Sequence, residues 1–353
     1  MAKNRLEELA GVLGFGGNKR ADLSREQLVA ALGKIPPMIS QVEITRGATK
    51  EFDGVAITEL SWNVGWGNNT QALLLTPLDR VGPLPGVLYL HSHDDLKEFG
   101  KEKVAQSEAE QLPERAMWVR KNHYGNRAPA NELAKRGFAV LVHDCFPWGS
   151  RGFDLAELPA RLKEIHGSSR PQDFEDLSVM FESMSLNKYL SLYGATMAGI
   201  LNHEDRIALE VAKQLPEMTG PISAIGLSGG GCRAIYLHAT NPELRAVVST
   251  GAMATYRSML HEHIAPHSWM FFPFNLANFG EWPEVAMISK TPLFVQYCGE
   301  DQLFTKEGMS DAHRMLEQKD AGSHSYNGKF YPVQHSFTTS MQEDAFDWLA
   351  SHV

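Results

Sequence analysis

The stretch that most constrains this chain is Gly226-Leu227-Ser228-Gly229-Gly230, a Gly-x-Ser-x-Gly pentapeptide between a short apolar run and a helix-forming segment. Ile222-Ser223-Ala224-Ile225 before it reads as a buried strand, and residues 232–240 after it read as a helix. A serine at such a junction sits on a strained turn with its hydroxyl exposed, and glycines two positions to either side let the chain turn without side-chain collisions. The helix N-terminus directs free N–H groups and the positive end of its dipole at the same point. A Gly-rich turn without chemistry is the alternative; the flanking strand and helix favour a nucleophile.

The strand-to-helix rhythm runs through most of the chain. Apolar runs at 86–90, 138–142 and 292–297, with a shorter one at 246–248, are continuous rather than alternating, as in strands covered on both faces of a parallel sheet. Helical patterns fall between them at 131–136, 186–215, 232–240, 306–316 and 338–349. This alternation predicts an α/β fold with a mostly parallel, doubly wound sheet flanked by helices. An opening antiparallel pair is expected from 55–60 and 71–75, joined through the turn-rich Gly65-Trp66-Gly67-Asn68-Asn69.

Residues 1–50 read as a short N-terminal helical appendage. Leu6, Leu9, Ala10 and Leu13 recur at helical spacing, and Ser24-Arg25-Glu26-Gln27 forms a capping-box pattern ahead of Leu28, Ala31 and Leu32. Gly33 and Pro36-Pro37 end that second helix. These helices are candidates for a homo-oligomer contact or a lid. The expected catalytic domain is then 51–353, with inserts at about 146–185 and 251–289 that follow strand ends and would roof a site at the carboxyl edge of the sheet.

Composition removes several function classes. At 353 residues, 43 % hydrophobic and 21 % charged, the chain can bury a large core. A formal charge of −9 argues against nucleic acid as a partner, because phosphate neutralisation needs clustered Lys and Arg. No run approaches the ~20 apolar residues that span a bilayer, and Met1-Ala2-Lys3-Asn4-Arg5-Leu6-Glu7-Glu8 lacks the apolar core of a secretory signal. A cytoplasmic location without membrane contact is expected. Cys145, Cys232 and Cys298 are too scattered for a disulfide framework or a zinc site and read as small buried hydrophobes.

A serine hydroxyl needs a base to take its proton, and the base needs an acid to fix its tautomer. The Gly-x-Ser-x-Gly elbow resembles that of the α/β-hydrolases, and that resemblance implies an order in which the acid follows the serine and the histidine comes last. After the apolar run ending at Tyr297 comes Cys298-Gly299-Glu300-Asp301, which leaves a carboxylate at the end of a strand; the segment after Val248 offers none. Asp301 is favoured over Glu300 and over Asp311, which falls inside a helical pattern. Four histidines follow. His313 and His352 lie on or beside helices, His324 in a polar connector, and His335 in a strand-to-loop passage before the last helix, from which a side chain can reach over the sheet edge. His335 is the favoured base, with an ordinary loop histidine as the alternative.

An oxyanion hole needs two N–H donors: one from Gly229 and one from the loop after an earlier strand. His91-Ser92-His93-Asp94-Asp95 follows the run at 86–90, so Ser92, His93 and Asp94 are candidates for the second. A metal site from His91, His93, Asp94 and Asp95, or from His261, His263 and His267, has nothing else to support it, and neither metal nor cofactor is expected. In the second insert Trp269, Phe271 and Trp282 are candidates to line a substrate pocket; packing of the insert onto the domain is the more economical reading of its aromatics. Asp144 and Arg151 are expected to form an ion pair at the rim.

These residues resemble the dienelactone-hydrolase and acetyl-xylan-esterase branch of the α/β-hydrolase superfamily. The likeness is carried by His91-Ser92-His93-Asp94-Asp95 with Phe99-Gly100-Lys101-Glu102-Lys103, by Leu133-Ala134-Lys135-Arg136-Gly137-Phe138, by residues 226–231, and by Asp301-Gln302-Leu303-Phe304 with His335. It covers about 51–353 and implies an α/β-hydrolase fold and a serine carboxylester hydrolase with Ser228, Asp301 and His335 as triad, acting on a small ester, with an acetylated carbohydrate as a candidate. Two departures stand out. Dienelactone hydrolases proper carry cysteine where this chain has Ser228, which favours ordinary esters over lactones, and the loop at 91–95 lacks the glycines common in related enzymes. A serine peptidase of the prolyl-oligopeptidase kind shares the triad order but usually carries a large propeller or cap. A non-catalytic binding protein on a hydrolase scaffold would not need serine, acid and histidine together.

Overall fold

The computed structural model describes residues 5–14, 22–39, 41–80, 82–108, 112–166, 174–260, 263–320 and 325–353. Among these, nine strands form one sheet in the order β1-β2-β3-β5-β4-β6-β7-β8-β9. β1 (Thr45–Phe52), β2 (Val55–Trp62), β3 (Thr70–Pro77) and β5 (Ala139–His143) pair antiparallel in turn. From β5 onward β4 (Leu84–Leu90), β6 (Met218–Leu227), β7 (Val247–Thr250), β8 (Leu293–Cys298) and β9 (Tyr326–Tyr331) run parallel.

Both faces of the parallel strands are covered, which is why they read as unbroken apolar runs. Leu88, Leu90, Ala224, Val247 and Val295 point to one face and pack with Leu201 of α8 (Met197–Gln214) and Ile235 of α9 (Gly229–Thr240). Val87, Tyr89, Ile225, Val248 and Phe294 point to the other, against Leu133 of α4 (Pro129–Lys135) and Phe346 and Leu349 of α13 (Thr339–Ala350). α12 (Lys306–Asp320) connects β8 to β9. Among the described residues no helix is long and apolar enough to cross a membrane.

Three elements carry no sequence pattern that announces them. β1 is an exposed edge strand, β9 is the opposite edge with one buried residue, and α3 (Glu114–His123) is polar around most of its surface. An element that buries little has little reason to show a hydrophobic period. The helix expected over 186–215 is broken in two: α7 (Asn187–Leu192) ends at Gly194, with φ 72°, and α8 starts after the N-cap Thr196.

That break is where the N-terminal segment docks, and the segment differs from the expected appendage. α1 (Arg5–Val12) leaves Leu6, Leu9 and Val12 exposed. α2 (Arg25–Leu32) forms the capping box at Ser24, and its Leu28, Ala31 and Leu32 are buried in the core that holds α8 and α9. The Thr196 hydroxyl donates to the Leu32 carbonyl at 2.7 Å, and Gly33 bridges to Ala195. β1 then begins at Thr45, within the stretch read as appendage.

The segments between β5 and α8 and between β7 and β8 carry the remaining short helices. The first holds α5 (Ala160–His166), α6 (Phe174–Phe181), a π-helical turn at Glu182–Leu186, and then α7; the second holds α10 (Tyr256–Met259) and α11 (Trp282–Ala286).

Candidate active site

Ser228 is the single residue between β6 and α9, at φ 55° and ψ −119°. That conformation is costly for a residue with a Cβ, by about 1–3 kcal/mol, and persists only where surroundings enforce it. Here the Ser228 N–H donates to the Thr250 carbonyl on β7 and its carbonyl accepts from the Cys232 N–H, both at 2.8 Å. The glycines allow the first turn of α9 to press onto the sheet. A Cβ on Gly226 would lie 2.4 Å from the Gly230 carbonyl carbon, and one on Gly230 would lie 2.1 Å from the Leu90 carbonyl oxygen.

Asp301 sits just past the end of β8, and its carboxylate is oriented by the Leu303 N–H, which donates to Oδ1 at 2.8 Å. Its other oxygen accepts from Nδ1 of His335 at 2.6 Å. Nδ1 therefore carries the proton, and Nε2, buried and without a hydrogen-bond partner among the described residues, is the atom left to act as base. Ser228 and His335 line one cavity, with no hydrogen bond between them. The rival acids lie elsewhere: Glu300 is exposed, and Asp311 pairs with Arg314 on the surface of α12. His313 bonds Tyr326 and His352 the Trp348 carbonyl, while His324 lies outside the described residues.

The loop after β4 is shaped by charges buried beneath it. Lys103 Nζ donates to the carbonyls of Ser92 and His93 at 3.0 and 2.8 Å, and Trp148 Nε1 donates to the His93 carbonyl at 3.2 Å. In a trans peptide the N–H points opposite to the C=O. Anchoring the Ser92 carbonyl inward therefore turns the His93 N–H outward, and the His93 nitrogen lies 3.1 Å from where a Cβ on Gly229 would be. The Ser92 N–H is already committed to the Tyr124 hydroxyl, at 3.3 Å, which removes Ser92 from the candidate donors. Burial lowers the Lys103 ammonium to about 8, against the opposing pull of Asp94.

The side chain of His93 is held in turn. Its Nε2 donates to Glu182 at 3.0 Å; Glu182 also accepts from Lys97 Nζ and from the Ser268 hydroxyl, so both inserts are fastened to this loop. Burial disfavours charge on His93, yet the Glu182 carboxylate beside it leaves its pKa raised.

The cavity measures about 580 Å³. Its lining includes the apolar Met270, Phe271 and Leu303 together with Asp95, Trp118, Asn122 and His123. Phe271 is thus the one aromatic candidate that reaches it. Trp282 is fully buried behind it, its Nε1 donating to the Ala252 carbonyl, and Trp269 is half-exposed, bonded to the Ser183 carbonyl. The expected Asp144–Arg151 pair does not form. Asp144 accepts from Lys101 Nζ and Ser150, whereas Arg151 pairs with the buried Glu204 of α8 at 2.7 Å. His91 bonds the Ser92 carbonyl rather than converging with its neighbours, and among the described residues no three His, Cys, Asp or Glu side chains are grouped to hold a metal; His261 lies outside those residues.

No family model matches the chain. A Bacillus subtilis (strain 168) protein named "Putative hydrolase YtaP" is 20 % identical over 301 residues, spanning 84 % of this chain and 87 % of its own. A glucuronoyl esterase from Solibacter usitatus superposes with a TM-score of 0.61 at 12 % identity, covering 93 % of this chain and 91 % of that one. Acetyl Xylan Esterase 1 from a Thermoanaerobacterium species superposes at 0.58 and 12 % identity, over 99 % of each chain.

The chain has the α/β-hydrolase fold. In the α/β-hydrolase framework β4, β6, β8 and β9 run parallel, and the candidate residues follow their carboxyl ends: the 91–95 loop, Ser228, Asp301 and His335. Sequence reasoning missed what lies under the elbow. Arg233 of α9 binds Asp205 of α8 through two guanidinium nitrogens and donates to the His91 carbonyl at 3.2 Å, while His143 of β5 donates to the same Asp205 at 3.0 Å. All four are buried, and only their low solvent access marks the cluster; their spacing in the chain gives no signal.

Proposed function

We propose that the protein is a serine carboxylester hydrolase acting on a small ester through an acyl-enzyme. The observation that carries this is the 2.6 Å bond to Asp301 made by His335, which lines one cavity with a serine on a strained elbow. His335 Nε2 takes the Ser228 proton as Oγ attacks the ester carbonyl. The N–H groups of Gly229 and His93 receive the oxyanion. His335 returns the proton to the departing alcohol, and water, activated by the same imidazole, releases the acid. The serine–histidine hydrogen bond forms as substrate fills the cavity, since such contacts often tighten only in the reacting complex. That the structural neighbours are esterases of acetylated xylan and glucuronoyl groups supports an ester of a carbohydrate as the substrate class.

Ser228→Ala tests this. The variant is expected to fold as the parent does, to lose turnover of short-chain aryl esters, and to lose covalent labelling by a fluorophosphonate read by mass spectrometry. Retained turnover would sink the assignment.

A further inference from the structure

The cavity holds a second histidine–carboxylate pair that the acyl-transfer scheme does not use. His123 closes α3, lines the cavity, and donates from Nδ1 to Asp94 Oδ1 at 2.7 Å. Asp94 is buried, accepts from the Ser92 hydroxyl as well, and lies 3.7 Å from Lys103 Nζ. The arrangement repeats that of His335 on Asp301: a carboxylate fixes the Nδ1 proton, and Nε2 has no hydrogen-bond partner among the described residues. The two imidazole centroids are 6.3 Å apart with their planes at 85°.

The chain bends to keep this pair in place. Asp94 and Asp95 both have positive φ, 56° and 49°, which side chains bearing a Cβ adopt at a cost and which clusters at functional positions. Trp118 packs edge-on against His123 at 5.2 Å and is itself exposed to solvent. Hydrolysis needs one proton shuttle, and His335 already supplies it.

We propose that His123 is a specificity-determining residue that accepts a hydrogen bond from a hydroxyl adjacent to the scissile ester, a proposal that rests on the ester-hydrolase reading. With the Nδ1 proton committed to Asp94, a neutral imidazole offers only an acceptor at Nε2, so the complementary group is an O–H. The 6.3 Å between the rings lets one imidazole serve the ester oxygen while the other receives a hydroxyl on the neighbouring carbon. The matching substrate is a monoester of a vicinal diol, such as a partly acylated sugar or polyol. One neutral hydrogen bond in a partly open site corresponds to a preference of about three- to tenfold.

The test compares kcat/KM for trans-cyclohexane-1,2-diol monoacetate and cyclohexyl acetate. The parent enzyme is expected to prefer the diol ester by about three- to tenfold, and His123→Phe to bring the ratio to about one. Asp94→Asn, which removes the acceptor that fixes the tautomer, should move the ratio the same way. If the parent hydrolyses both esters without preference, or if both variants keep the preference, the hydroxyl subsite is overturned while the hydrolase reading stands. If the parent hydrolyses neither ester and Ser228 resists a fluorophosphonate, the hydrolase reading fails and the subsite with it.

Discussion

Glu182 offers the sharpest test of how the site is held. Its carboxylate, on the π-helical turn of the first insert, accepts from His93, from Lys97 and from Ser268 of the second insert. Glu182→Ala leaves the Lys97 ammonium, 1 % exposed, without its counter-ion. Breaking a buried pair from one side costs about 3–5 kcal/mol. The Trp148 ring, 3.6 Å from Lys97 Nζ, offsets up to about 2 kcal/mol of that. A loss of roughly 1–5 kcal/mol is therefore expected, read as a lower urea midpoint. Adding Lys97→Met removes the orphaned charge and should recover most of the loss.

The same variant separates holding from chemistry. Without Glu182 the His93 side chain loses its tether while Lys103 still fixes the backbone carbonyls, so kcat should fall by less than the 10²–10³ that deleting an oxyanion donor costs. Burial pushes the Glu182 carboxyl up, but the charges of His93 and Lys97 outweigh it and hold the group below its ordinary 4.5. A depressed folded pKa means stability that is fully present above pH 4.5 and is lost as pH falls through the folded value. The parent should lose that increment in acid, and Glu182→Ala should lack it at every pH. A variant with the parent's urea midpoint, or a double variant no more stable than Glu182→Ala, would refute the reasoning.

Other outcomes follow from single contacts. Asp301→Asn leaves His335 Nδ1 without its carboxylate and should lower kcat by about 10³–10⁴ with the circular dichroism spectrum unchanged. Gly230→Ala sets a methyl 2.1 Å from a backbone carbonyl oxygen, which no rotamer relieves, and should cost about 3 kcal/mol or more, read as lost soluble yield or a collapsed melting temperature. Burial pushes the Cys298 thiol up to about 12 and raises Cys145 and Cys232 as well, so iodoacetamide should label none of the three at pH 8 until urea unfolds the chain, as mass spectrometry would show.

The legibility of the chain tracked burial. β4, β6, β7 and β8 are covered on both faces and appear as apolar runs, and two of the triad candidates, Ser228 and Asp301, stand just after the ends of β6 and β8 because the fold exposes strand ends at one edge. The edge strands β1 and β9 and the polar α3 bury too little to leave a period. α3 nonetheless places His123 in the cavity, so the element hardest to read carries a residue that lines it.

Apart from Asp301 and His335, polar partners were legible only where the chain itself fixes them. The capping box at Ser24 pairs residues three apart, and it forms. Asp144 and Arg151 are seven positions apart in a loop, close enough to suggest a pair, but Arg151 lies beside the buried Glu204, which would otherwise stand uncompensated in the core. Asp144 is buried as well and takes Lys101 instead, so each buried carboxylate has a cation of its own. The same rule explains Lys97, Lys103 and Arg233: each cation is inside because a carboxylate, or for Lys103 a pair of carbonyls, is there to meet it. Such pairings are properties of the assembled layers. They hold the 91–95 loop from below, so that a loop without glycines is still fixed against Gly229 beside the serine.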